Sequence, residues 1–110
     1  MSSFDKREKS FEAKWARDEE SRFKVFARRN KLLGIWVAGQ LGLLGAAADA
    51  YAKEVVSADF EKPGDEDVFQ KVRQDLNAKA VAVSDHTLRR TMEELLQTAS
   101  SQIEEETAKK

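Results

Sequence analysis

Cysteine is absent from all 110 residues, which removes disulfides and thiolate chemistry together and suits a reducing compartment. Proline and histidine each occur once. A single proline leaves room for long helices. A single histidine, His86 beside Asp85, has no placed nucleophile to serve, so a capping or surface role is the plainer reading and an enzyme the weaker one. No run of alternating β-branched residues occurs, and nothing reads as a strand.

Other chemistry is excluded by spacing. The glycines of GIWVAGQL imitate a phosphate loop, but Gln40 and Leu41 stand where lysine and a hydroxyl residue are needed. Asp65, Glu66 and Asp67 lack the glycine and distal glutamate of a calcium loop and suit the positive end of a helix instead. Glu104, Glu105 and Glu106 are adjacent on a helix, point in different directions and cannot converge on one metal. Basic residues interleave with acidic ones, and Arg89 with Arg90 is too small a patch for nucleic acid.

What is present is charge, unevenly spread. Residues 1–31 hold 10 Lys/Arg against 6 Asp/Glu, whereas residues 32–110 hold 9 against 14. A cationic arm therefore precedes an anionic body. Between them lies the only long uncharged run, Leu32 to Ala48. Its length touches the lower edge of a membrane span. Gln40 near its middle and glycines at 34, 39, 42 and 45 argue against insertion, and a span would leave the amphipathic segments downstream without a core.

Those segments predict an all-α, single-domain four-helix bundle. A first helix can run from about Phe4 to Leu44, with Phe4, Phe11 and Trp15 on a narrow stripe continued by Phe23, Phe26, Leu33, Val37, Leu41 and Leu44. Residues 1–20 carry too thin an apolar face to pack firmly, which makes them a mobile helical arm. Residues 21–107 form the bundle, and burial is expected from Phe23 onward. Gly45 reads as the helix stop. A second helix, about Ala46 to Glu61, buries Ala48, Tyr51, Ala52, Val55, Val56 and Phe60; Pro63 and Gly64 break the chain. Asp65 caps a third helix that buries Val68, Phe69, Val72, Leu76 and Ala80. Ser84 or Asp85 caps a fourth with Leu88, Met92, Leu95, Leu96, Ala99 and Ile103 inward, after which Glu104 to Lys110 frays.

The string FDKREKSFEAKWARDEESRFKVFARRNKLLGIWVA, from Phe4 to Ala38, resembles the amino-terminal half of the zeta-subunit family of alphaproteobacterial F-type ATP synthases. The likeness continues through YAKEVVSADFEKPGDEDVFQKV, residues 51–72, and SDHTLRRTMEELL, residues 84–96. In the family's pattern a glutamate is usual where Gln40 stands, glycines are fewer than at Gly39 and Gly42, and a glycine is usual where Ala80 ends the third helix.

The resemblance implies a bundle that binds the catalytic head of the synthase, built of alpha, beta and gamma subunits, and inhibits ATP hydrolysis from the cytoplasmic side, peripheral to the inner membrane. Its inhibitory element would be the arm. Phe4, Phe11 and Trp15 would be apolar anchors and Arg7, Glu8, Glu12, Lys14 and Arg17 charged contacts. Without the resemblance, the same residues are a solvated helix face. An adenine nucleotide on the bundle has no supporting motif, so no cofactor is expected. The alternative is a helical scaffold that binds another protein or a small ligand and inhibits nothing.

Overall fold

The computed structural model describes the backbone of residues 19–61 and 65–108 and the side chains of 21–58 and 66–106. Among the described residues the chain is an all-α four-helix bundle: α1 (Glu19–Gln40), α2 (Gly45–Glu61), α3 (Asp65–Ala78) and α4 (Asp85–Ala108). The break expected at Pro63 and Gly64 lies outside them, as do the side chains of Phe60 and Asp65. None of the described helices is long and apolar enough to cross a membrane.

α1 is the hub, packing on α2 and α4 most extensively and also touching α3. Its buried positions follow two ridges of i, i+4 spacing: Val25, Arg29, Leu33 and Val37, and beside them Asn30, Gly34 and Ala38. The stripe expected from the sequence is therefore corrected at its ends. Phe23 is 53% exposed and Leu44 84% exposed. α4 meets the first half of α1 on the Val25 side rather than the Phe23 side, and Leu44 lies in the loop between α1 and α2.

The main core joins Leu33, Val37 and Ala38 of α1 to Tyr51 and Val55 of α2, Val68, Phe69, Val72 and Leu76 of α3, and Leu88 and Met92 of α4. Each fully buried leucine or valine contributes about 1.5–3 kcal/mol relative to exposure. Among the described residues, a second, smaller cluster sets Val25 of α1 against Ala99 and Ile103 of α4, flanked by Leu32 and Leu96.

Helix ends depart from expectation for a common reason. α1 stops at Gln40 rather than at Leu44: the Leu43 N–H donates to the Ala38 carbonyl at 2.8 Å and the Gly42 N–H to the Gly39 carbonyl at 3.2 Å. Gly42 supplies the left-handed residue this closure needs, with φ +81°. Gly45, expected as the stop, instead opens α2 with φ +56°. α3 ends in the same motif. The Val81 N–H reaches the Leu76 carbonyl at 2.9 Å and the Ala80 N–H the Asn77 carbonyl at 3.0 Å. Here the left-handed position falls on Ala80, φ +57°, so Ala80 is exposed outside the helix instead of on its buried side.

α4 begins as expected, with Ser84 as its cap. The Ser84 Oγ accepts the Thr87 N–H at 3.1 Å. Arg73 ties down the link before it, donating to the Val83 carbonyl at 2.6 Å and to Asp85 at 3.0 Å. α4 runs on to Ala108, past Glu104 where fraying was expected, and Arg28 holds Glu106 at 2.7 Å; Lys109 and Lys110 lie outside the described residues.

Candidate functional site

The eight arm positions expected to contact a partner, Phe4, Arg7, Glu8, Phe11, Glu12, Lys14, Trp15 and Arg17, lie outside the described residues. What the structure places is the root from which they extend: the first half of α1, seated on the last turns of α4. Arg28 fastens it, donating to the Gln102 side-chain oxygen at 2.7 Å and to Glu106. The half-exposed Arg28–Glu106 ion pair adds at most about 1 kcal/mol.

Immediately beside it, polar side chains are buried on both helices. Arg29 and Asn30 are buried on α1 and Ser100 is buried on α4. The Arg29 Nε donates to the Asn30 Oδ1 at 2.7 Å, and the guanidinium lies 5.6 Å from the centroid of the Phe26 ring. Asn30 Nδ2 and Ser100 Oγ, both buried, have no hydrogen-bond partner. Pattern reading passed over this layer because it ranked positions by apolarity. A signal was present: Arg29 occupies the i+4 step between Val25 and Leu33.

A second polar cluster crosses from α2 to α3. The Tyr51 hydroxyl donates to Asp75 at 2.7 Å, and Lys71 Nζ donates to the same carboxylate at 2.9 Å and to Glu54 at 3.1 Å. Burial and then the hydrogen bond to Asp75 push the Tyr51 phenol far above its ordinary value. For Lys71 burial pulls the ammonium down, but hydrogen bonds to Asp75 and Glu54 outweigh it, and the net shift is upward. Beside this cluster runs an open groove of about 400 Å³ lined by Ala50, Lys53, Glu54, Ser57, Ala58 and Lys71.

Groups that suggested chemistry in the sequence are accounted for structurally. His86 is exposed on the first turn of α4. Arg89 pairs with Glu66 and stacks 3.8 Å from the centroid of the Phe69 ring, so it serves the α3–α4 contact. Among the described residues no cluster of His, Asp or Glu is arranged to hold a metal ion.

Comparison with known proteins supplies what this geometry cannot. The profile of the family described as ATPase inhibitor subunit zeta matches residues 1–102. This chain belongs to that family. A solved member-like structure, described only as a solution NMR structure of the protein, is 48% identical, covers 77% of this chain and 96% of its own, and superposes with a TM-score of 0.68. No curated protein matches. The zeta family is one of inhibitor subunits.

Proposed function

We propose that this zeta-family chain inhibits ATP hydrolysis by an F-type ATP synthase, with residues 1–20 lodging as a helix in a catalytic interface of the head while the bundle, residues 21–107, stays outside it. The partner surface is formed by alpha, beta and gamma subunits, on the cytoplasmic side and peripheral to the inner membrane. The arm's thin aromatic stripe of Phe4, Phe11 and Trp15 suits a groove better than it suits the chain's own bundle. Arg7, Glu8, Glu12, Lys14 and Arg17 flank it as charged contacts.

Inhibition on this reading is steric and conformational. A helix held in an interface that must close at each catalytic step stops the shape change without touching the chemistry, and no cofactor takes part. Ordering the arm costs conformational entropy at the moment of binding, so a second contact from the bundle would raise affinity.

The observation that carries the reading is the reach of the family match, which spans residues 1–102 and so takes in the arm as well as the bundle. The test is to add a peptide of residues 1–22, and separately the full chain, to the purified ATPase head. Both are expected to lower the hydrolysis rate, the full chain at lower concentration. If neither lowers it, the chain is a helical scaffold without inhibitory action.

A further inference from the structure

The positive charge of the first third of the chain is concentrated in the root of α1 rather than in the arm. Residues 1–20 hold 5 Lys/Arg against 6 Asp/Glu, whereas residues 21–31 hold Arg22, Lys24, Arg28, Arg29 and Lys31 and no acid at all. Two of these five are committed to the fold: Arg29 is buried, and Arg28 is held by Gln102 and Glu106. Lys24 and Lys31 are exposed. At about 100° per residue, Lys24, Arg28, Lys31 and Ile35 occupy one outward face of α1, turned away from the sides that α2 and α4 cover. Ile35 is 43% exposed there.

Nothing on its own helix balances Lys31. The positions three and four residues to either side of it are Ala27, Arg28, Gly34 and Ile35. Where Lys71 has Asp75 four residues on, Lys31 has an isoleucine, and the like charge of Arg28 three residues back disfavours the free helix slightly. By spacing, the basic line also extends past the bundle. Arg17, Lys24 and Lys31 recur every seven residues, close to two turns of helix, so Arg17, one of the arm's expected charged contacts, falls on the same line. In the same helical register the stripe of Phe4, Phe11 and Trp15 falls about half a turn away from it.

We propose that the Lys24–Lys31–Ile35 face is the bundle's own docking surface for the ATPase head, seated on a strip of carboxylates with a small apolar recess that runs outward from the groove taking the arm. This rests on the reading of the chain as an inhibitor that enters the head through its arm. The aromatic stripe of the arm then meets one wall of the groove, and the basic line meets an opposite, acidic wall. Lys31 stands eleven residues beyond Glu20, about 17 Å along the helix axis. An acidic wall that reaches this far holds the bundle as well as the arm, with Lys31 and Ile35 as the principal contacts.

The test measures both binding of the fluorescently labelled full chain to the purified ATPase head and inhibition of hydrolysis. Lys31→Glu is expected to weaken binding about tenfold and Ile35→Ser about fivefold. Lys79→Glu, an exposed charge reversal on the turn after α3 and outside this face, should leave binding unchanged. Raising salt to about 0.3 M should shrink the effect of Lys31→Glu and leave that of Ile35→Ser in place, because only the exposed charges are screened. A carboxylate at position 31 lies three residues from Arg28, which favours the helix, so weaker binding would not reflect unfolding. If Lys31→Glu and Ile35→Ser both bind as tightly as wild type, the docking face is overturned and the arm reading stands. Binding that is lost in these variants, from a wild-type chain that does not slow hydrolysis, supports the face and sinks the inhibitor reading alone. A wild-type chain that does not bind the head overturns both.

Discussion

Gly34 and Ala52 meet backbone to backbone where α1 crosses α2: a Cβ on Gly34 would lie 2.6 Å from the Cα of Ala52 and 3.1 Å from its Cβ. Real side-chain carbons do not approach backbone so closely, so the two helices must separate to admit even a methyl group. Gly39, one turn and a residue along the same helix, has open space around its own position. Gly34→Ala is expected to destabilise the fold by about 1–3 kcal/mol through overpacking. Gly39→Ala is expected to stabilise it by up to about 1 kcal/mol through helix propensity. Urea unfolding of the two variants checks both signs, and a Gly34→Ala protein as stable as wild type would refute the close contact.

Ala80 bears a left-handed backbone, φ +57°, that the equivalent position at the end of α1 gives to Gly42. An L-residue pays about 1–2 kcal/mol for that conformation, and part of the gain on substitution is lost to the greater freedom of unfolded glycine. Ala80→Gly is therefore expected to stabilise by about 0.5–1 kcal/mol, seen as a rise of a few degrees in thermal midpoint. Gly42→Ala should move the midpoint the other way.

Tyr51 and Lys71 both titrate above their ordinary values of 10.0 and 10.5 in the folded chain. Each keeps its proton longer when folded than when unfolded, so the stability they contribute is fully present below about pH 10 and is lost as pH rises beyond it. Denaturation midpoints measured from neutral pH to about pH 11 should fall steeply over the last unit. Tyr51→Phe should flatten that fall, because its phenol no longer ionises in the unfolded state.

Trp15 tests the arm separately from the bundle. If it anchors the arm in the partner's interface, Trp15→Ala should weaken inhibition of the ATPase head at least about tenfold, the size expected of a buried aromatic anchor. Titrating hydrolysis with variant and wild-type protein measures the loss. Unchanged inhibition would remove Trp15 from the contact.

Much of the bundle was legible in advance because periodicity reports which residues want to leave water. Val68, Phe69, Val72 and Leu76, and Leu88, Met92, Ala99 and Ile103, are all buried where spacing placed them. Periodicity failed on α1, where it preferred Phe23 to Val25 and passed over Arg29 and Asn30. A long helix offers several faces, and which one is covered depends on where its neighbours end. The stop of α1 was misplaced for a related reason: Gly42 and Gly45 are equally good breakers by type, and only the packing of Leu43 back onto the core selects the first.

By itself, then, the sequence determined the helical class, the number of described helices, the inward faces of α3 and α4, and, through long contiguous strings, the family. These rest on local spacing and on residue identity, which need no knowledge of neighbours. Tertiary structure alone decided that Gly34 marks the crossing with Ala52, that Tyr51 shares Asp75 with Lys71, and that Asn30 and Ser100 are buried. Each joins residues far apart in the chain, and burial or charge at such a meeting depends on what the other helix brings.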